Sequence, residues 1–175
     1  MEIQIITSIF GVSGALIGAF GGALLANHFA EKRFLKQAKQ DAEKEKKKLL
    51  ISKTEELHIL ISKWSKYIYT LHIYRQRMLL NEMTLSDFYI KSAALKLEDG
   101  VHDRLEALIY LYFPSFEPDL LEVRKLLNLS NKAEGDALQR RVENEEASNV
   151  IKDCRIKLEN KFVQMNKKLV SSMQL

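Results

Sequence analysis

The chain has 175 residues, a formal net charge of +4 and one cysteine, Cys154. This length allows a membrane segment followed by one domain with its own core, and a single cysteine excludes an intrachain disulfide. The single cysteine fits a protein whose soluble part lies in a reducing compartment. A lone cysteine on a helical pattern is typical of a small buried apolar residue, and we interpret Cys154 in that way.

The chain begins with a long uncharged run, residues 3–30. About 20 apolar residues in a helix cross the hydrocarbon core of a bilayer, so we predict one transmembrane helix over residues 1–30. A cleaved signal peptide is disfavoured, because no lysine or arginine precedes the run. A soluble amphipathic helix is disfavoured as well, because neither face is charged. A pore-lining amphiphile is a further interpretation, and it overlaps with the packing face described next.

Small residues within this run recur at a spacing of four, in two rows that lie side by side on a helix. Such a smooth face lets helix backbones approach closely, and in lipid this packing drives helix association. The pattern therefore favours self-association over a simple tether, although glycine and alanine are common in membrane helices generally. The predicted packing face comprises Gly11, Gly14, Ala15, Gly18, Ala19, Gly22, Ala23 and Ala26, and the candidate pore-lining residues are Thr7, Ser8, Ser13, Asn27 and His28.

A basic segment follows the uncharged run. Residues 31–53 hold nine lysines and arginines against four acidic residues, a net charge of about +5. By the positive-inside rule, this predicts a single-pass membrane protein with its N-terminus outside and its C-terminal domain in the cytoplasm. Lys32, Arg33 and Lys36 are the candidates for lipid-headgroup contacts. Nucleic acid could attract the same charge, but the membrane already accounts for it.

The remainder of the chain predicts an all-α fold. Neither glycine nor proline occurs between Gly22 and Gly100, and no strand-like alternation appears. We predict a basic helical stalk over residues 31–48 and a cytoplasmic bundle of about five helices over residues 49–175, with long first and last helices. Apolar residues at helical spacing predict that the first bundle helix buries one face, and aromatic residues along it (Trp64, Tyr67, Tyr69 and Tyr74) are interpreted as core rather than as a nucleic-acid stacking surface. The apolar positions of that first helix are Leu49, Leu50, Leu57, Leu60, Ile61, Trp64, Ile68, Leu71 and Met78.

Capping and turn residues predict the shorter helices. Thr84 or Ser86 is expected to cap a helix that runs to Leu97, and Val101–Tyr112 is expected to form the next one. Pro118 suits the start of a helix that ends at Leu127. We predict a loop over residues 128–131, followed by a capping box of Asn131 and Glu134 that opens the long final helix. Its apolar positions are Leu138, Val142, Val150, Ile151, Cys154, Ile156, Leu158, Phe162, Met165 and Leu169.

Sequence signatures of catalysis are few. The chain has no phosphate-binding glycine loop and no GxSxG elbow, and its four histidines lack metal-ligand spacing. We therefore predict no cofactor and no metal. Neighbouring carboxylates such as Glu145 and Glu146 are expected to form a solvated helix face.

One local pattern, Arg155-Ile-Lys-Leu-Glu-Asn160, resembles the Arg-x4-6-His motif of HEPN ribonucleases. In those all-α domains the arginine and histidine act together on RNA, the arginine as a charge clamp and the histidine as acid-base catalyst. Asn160 occupies the place of the histidine here. An amide cannot take up and return a proton near neutral pH, so we predict that the chain is not an enzyme. The alternative interpretation of Arg155 is a surface residue that forms helix salt bridges.

The whole layout resembles the small membrane accessory protein of type VI-B CRISPR systems, which is encoded beside an RNA-guided, RNA-cleaving effector. The likeness consists of a glycine-rich N-terminal span, a basic stalk and a HEPN-like helical domain. It implies a homo-oligomeric membrane pore that depolarises the inner membrane and strengthens antiviral defence, with a functional link to the effector; it does not decide whether the chain binds RNA. The other interpretations are a membrane-tethered helical adaptor, a membrane-bound ribonuclease, and a holin-like or toxin-like membrane protein outside any CRISPR locus.

Overall fold

The structure, a computed structural model, describes the backbone of residues 2–172 and the side chains of residue 18 and residues 21–171. This part of the chain is all-α and contains no strand, as the sequence predicted. It falls into two compact units, residues 1–49 and residues 50–175. The elements are α1 (Glu2–Leu79), α2 (Leu85–Ala94), α3 (Val101–Tyr112), a 3₁₀ turn (Pro114–Phe116), α4 (Glu117–Leu138) and α5 (Asn144–Ser172).

The first unit, residues 1–49, consists of the N-terminal part of α1. Its described side chains from Gly22 onward are exposed, and they include large apolar groups such as Leu24 (71% exposed) and Phe29 (57%). Among the residues that the structure describes, no helix is both long and apolar enough to cross a bilayer. The side chains of residues 1–17, 19 and 20, which make up most of the predicted span, lie outside the described residues.

In the second unit, residues 50–175, α1 contributes one apolar face to the hydrophobic core. Leu57, Ile61, Trp64 and Ile68 are all less than 5% exposed and follow one another at spacings of three and four residues, the helical period. The core prediction for this face is confirmed for these residues. It is wrong for Leu49 and Leu50, which remain 49% and 45% exposed because the bundle's buried face begins only at Thr54.

The N-terminal ends of α2 and α3 follow directly after Thr84 and Gly100. The Thr84 side chain accepts a hydrogen bond from the Asp87 backbone N–H, so Thr84 rather than Ser86 caps α2. The helix ends at Ala94 and not at the predicted Leu97; from Leu95 to Glu98 the chain is irregular, and Leu97 packs against the core. Gly100, at φ +76°, precedes α3, whose bounds match the prediction.

The predicted loop at residues 128–131 is wrong, because α4 runs without a break from Glu117 to Leu138. Its inward face continues through the polar stretch: Leu120, Val123, Ser130 and Ala137 are buried. The actual break comes at residues 139–143, so Leu138 belongs to α4 and Val142 to the connection. In α5, Ile151, Cys154, Leu158, Phe162, Met165 and Leu169 are buried as predicted, whereas Ile156 is 44% exposed.

Both α1 and α4 end in the same local structure. Asn81 and Arg140 adopt positive φ angles of 59° and 56°. After α4, the Arg140 N–H donates to the Ala137 carbonyl and the Arg141 N–H to the Asp136 carbonyl, at 2.9 and 2.8 Å. This pair of bonds is the Schellman motif, which satisfies the last carbonyls of a helix. The motif ends α4 without glycine or proline, so the residue types did not predict where this helix ends.

Candidate functional site

The predicted small-residue face is described in its C-terminal half only. Gly18, Gly22, Ala23 and Ala26 are exposed, and a Cβ atom added at Gly18 or Gly22 would meet nothing within 4 Å. The chain itself therefore leaves this part of the face open. The side chains of Ala15 and Ala19, and the positions of Gly11 and Gly14 on the face, lie outside the described residues, as do the side chains of Thr7, Ser8 and Ser13.

The remaining N-terminal candidates are exposed. Asn27 and His28 face solvent, and the His28 ring lies 6.1 Å from the ring of Phe29 in an edge-on arrangement. Lys32, Arg33 and Lys36 are exposed and form no ion pair with any described residue. Their charges are free to meet an anionic partner.

Arg155 and Asn160 have different surroundings in the structure. Residues five apart on an α-helix lie about 140° apart around its axis. Arg155 is half-buried with its guanidinium carbon 5.1 Å from the centre of the Tyr69 ring on α1, whereas Asn160 is exposed. The interpretation of Arg155 as a surface residue in helix salt bridges is therefore wrong.

Sequence reasoning missed a layer that divides the core, made of buried and half-buried residues with Asn131 at its exposed edge. One apolar cluster lies on one side of it and includes Ile68 and Leu158; a second lies on the other side and includes Met78 and Ile151. Between these two clusters, α1, α4 and α5 contribute a set of side chains that we call the polar layer. Its members are His72 and Arg75 on α1, Ser130, Asn131 and Glu134 on α4, and Cys154 and Arg155 on α5.

His72 is the most deeply buried titratable group of the polar layer, at 1% exposure. Its Nδ1 lies 2.8 Å from the Ile68 carbonyl oxygen, which can only accept, so Nδ1 carries the proton and Nε2 is left as an acceptor. Nε2 finds no hydrogen-bond partner among the described residues. Burial, together with the positive charges of Arg75 and Arg155, lowers the His72 pKa to about 4, so the ring is neutral at pH 7.

Arg75 links α1 to α4. Its Nη1 donates to Asn131 Oδ1 at 2.8 Å, and its Nε lies 3.0 Å from Glu134 Oε2. Burial raises the pKa of Glu134, and the charge of Arg75 opposes that rise. The two residues expected to form a capping box therefore bind an arginine of another helix instead.

Arg155 borders a small cavity of about 10 Å³, which Ser65, Tyr69 and Glu159 also line. A space of this size holds at most about one water molecule. The Arg155 Nε atom is buried and has no hydrogen-bond partner among the described residues. The cavity is too small for an organic substrate.

The chemistry that these groups support at neutral pH is hydrogen bonding rather than proton transfer. The His72 ring is neutral, and burial raises the pKa of the Cys154 thiol above its usual value, so the thiolate is disfavoured. Within the described residues, no group of three or more His, Cys, Asp or Glu side chains could hold a metal ion. One sequence signal for the layer existed: His72 falls four residues after Ile68, on the same buried face of α1.

No protein-family model, no curated protein and no solved structure matches this chain.

Proposed function

We propose that the chain is a single-pass, homo-oligomeric pore protein of the bacterial inner membrane. The observation that carries this proposal is the uncharged run of residues 3–30 followed at once by a segment of net charge about +5. The N-terminus then lies outside, and the domain of residues 49–175 lies in the cytoplasm.

The exposure of the described part of the run supports this proposal. Leu24, Leu25 and Phe29 are 71%, 60% and 57% exposed. Apolar side chains exposed so close together need cover from lipid or from another protein. Gly18 and Gly22 lie on the helix face that also carries Leu25 and Phe29, seven residues further on, and face away from Leu24. Atoms added at either glycine would meet open space within 4 Å. A second copy of the helix fits there, because small residues allow close backbone approach.

A one-span subunit can enclose a channel only as a ring. Lipid does not satisfy backbone hydrogen-bonding groups, so every wall of the channel must be a complete helix. In the proposed ring, the small-residue faces pack between neighbouring subunits, and the more polar side chains, among them Asn27 and His28, border the opening.

The link to defence rests on the resemblance to the accessory proteins of type VI-B CRISPR systems. On that basis, the domain of residues 49–175 is HEPN-like, and depolarisation of the membrane by the pore strengthens the defence that the RNA-guided effector provides. A holin-like or toxin-like protein would share the pore and differ in the process that it serves.

Leakage from liposomes tests the pore. The full chain reconstituted in liposomes should release a trapped small dye. The double variant Gly18→Leu, Gly22→Leu should release it at least about tenfold more slowly, because the helices can no longer approach closely. The control variant Leu24→Phe enlarges a side chain on the opposite face and should leak like the wild type. Failure of the wild-type chain to leak, or equal leakage by the glycine variant, would contradict the proposal.

A membrane-tethered adaptor is the second candidate, and exposed apolar side chains on α2 and α3 favour it. Ile90 and Leu111 are 66% and 75% exposed, and Tyr89 is 59% exposed. Aromatic and aliphatic residues of this kind anchor protein partners. In this alternative the N-terminal helix only holds the domain at the membrane.

A further inference from the structure

A cleft of about 390 Å³ lies within the second unit, between α1 and the irregular segment that joins α2 to α3. One wall is formed by Lys63, Lys66, Tyr67 and Thr70 of α1, and the other by residues 94–98. This volume falls within the range of small-molecule sites in proteins. It is separate from the polar layer, with which it shares no residue.

The local sequence explains why the cleft forms. Positions 63, 66, 67 and 70 are spaced as i, i+3, i+4 and i+7, so they lie on one face of α1. On the opposite wall α2 stops at Ala94, and Leu97 packs against the core. The premature end of α2 leaves the segment 95–98 irregular beside α1.

The cleft is positively charged. Lys63, Lys66 and Lys96 line it, and Glu98 is its one acidic lining residue. Both Glu98 oxygens accept hydrogen bonds from Lys63 Nζ, at 2.7 and 2.9 Å. Lys66 and Lys96 are exposed and form no ion pair with any residue in the described part of the chain. Two cations therefore remain available to an anionic ligand, and the net charge of the lining is +2.

The cleft also offers an apolar and aromatic surface. Tyr67 is half-buried and packs against the main core, which holds its ring in place, and Ala94, Leu95 and Leu97 supply aliphatic groups. Thr70 Oγ1 donates to the Lys66 carbonyl at 2.9 Å, so toward the cleft it offers only acceptor capacity. The lining thus combines free ammonium groups, a fixed ring and an acceptor hydroxyl.

We propose that this cleft binds a small phosphorylated molecule with a planar ring, of the mononucleotide class. The phosphate lies between the ammonium groups of Lys66 and Lys96, which bind it as point charges. The ring lies against Tyr67 and the aliphatic wall, since flat aromatic surfaces stack on one another. The hydroxyl of Thr70 accepts a hydrogen bond from the ligand. This site needs neither a pore nor an oligomer.

Calorimetric titration of the full chain in detergent with adenosine monophosphate tests the site. At low salt we expect saturable binding with a Kd below about 1 mM. Adenosine and inorganic phosphate should each bind at least about tenfold more weakly than the nucleotide, because each offers only half of the contacts. Added salt should weaken the binding, since the lysines are exposed.

The double variant Lys66→Glu, Lys96→Glu should reduce the affinity for adenosine monophosphate at least about tenfold, because like charges then face the phosphate. Neither lysine has an ion-pair partner among the described residues, so the fold should survive, and far-UV circular dichroism checks this. The control Lys125→Glu makes the same charge change on an exposed residue of α4, outside the cleft lining. Absence of saturable nucleotide binding, an unchanged affinity in the double variant, an equal loss in the control, or equally tight binding of inorganic phosphate would overturn the proposal.

Discussion

Arg140 holds a backbone conformation that side chains other than glycine resist. Its φ of 56° places it in the left-handed region, where a Cβ atom costs about 1–2 kcal/mol. Glycine removes this cost but gains freedom in the unfolded chain worth about 0.5–1 kcal/mol, so the net benefit is smaller. Arg140→Gly should raise the melting temperature of the full chain in detergent by about 2–5 °C, as followed by circular dichroism.

The matched control is Asn81→Gly at the end of α1. Asn81 has a φ of 59° and the same hydrogen-bonding pattern, but asparagine tolerates the left-handed region better than arginine. The gain at position 81 should therefore be smaller than at position 140. A lower melting temperature for Arg140→Gly would show that the Arg140 side chain stabilises the fold in some other way.

His72 makes stability depend on pH. Its pKa is about 4 in the folded chain against a usual value of 6.5. As pH falls, His72 therefore binds a proton in the unfolded chain before it does so in the folded chain. The free energy of unfolding that depends on His72 is fully retained above pH 6.5 and falls between pH 6.5 and pH 4. Each pH unit in that window should lower the free energy of unfolding by up to about 1.4 kcal/mol.

Urea unfolding at several pH values, read from the fluorescence of the buried Trp64, measures this dependence. His72→Gln should lower stability at pH 7 and should flatten the slope between pH 6.5 and pH 4, because glutamine does not titrate. The difference between the variant and the wild type isolates His72 from Glu56, whose pKa the hydrogen bonds from Lys53 and Arg104 lower. A variant as steep as the wild type would contradict the assignment.

At the scale of elements, the continuity of α4 can be tested at Leu129. This residue is 50% exposed and lies in the stretch that the sequence suggested was a loop. Proline inside a helix removes a hydrogen bond and clashes with the preceding turn, at a cost of about 3 kcal/mol or more. Leu129→Pro should therefore lower the melting temperature sharply, while Leu129→Ala should change it little. Tolerance of proline would indicate a loop at residues 128–131.

The outcomes for α3 and α4 show which element boundaries the sequence could predict. Around α3, Gly100 and Pro114 mark both ends, and both bounds were predicted correctly. In α4, the run Asn128-Leu-Ser-Asn has the composition of a loop, but Ser130 lies on the buried face and Asn131 binds Arg75. Those tertiary contacts override local preference and are absent from any window of sequence. The break after Leu138 depends on the left-handed conformation of Arg140, and no residue pattern in the sequence predicts that conformation.

For the whole molecule, replacement of the proposed N-terminal span distinguishes the proposed pore from the alternative of a membrane tether. Exchange of residues 3–30 for an uninterrupted leucine helix should keep the protein in the membrane, because leucine alone suffices for insertion. It should abolish dye release from liposomes, because the smooth packing face is gone. Flotation on a density gradient checks membrane association, and dye release checks the pore. Undiminished leakage would contradict the proposed role of the small-residue face in forming the pore.

The sequence was sufficient for the fold class but not for the candidate sites. Helical spacing of Leu57, Ile61 and Trp64 predicted the buried face of α1, because a core needs only one apolar stripe per helix. The polar layer and the charged cleft join residues from separate helices and connections. His72 and Cys154 lie 82 positions apart, and Lys66 and Lys96 lie 30 apart. Only the packing of the chain brings such partners together. Apart from the position of His72 on the buried face of α1, no residue pattern in the sequence predicted either site.

The burial of Cys154 has a practical consequence. Its side chain is 2% exposed and burial disfavours the thiolate, so water-soluble thiol reagents should reach it only when the surrounding helices part. The natural sulfhydryl is therefore a built-in reporter of opening events in the domain. A spectroscopic label can also be placed on an introduced surface cysteine without first removing the native one.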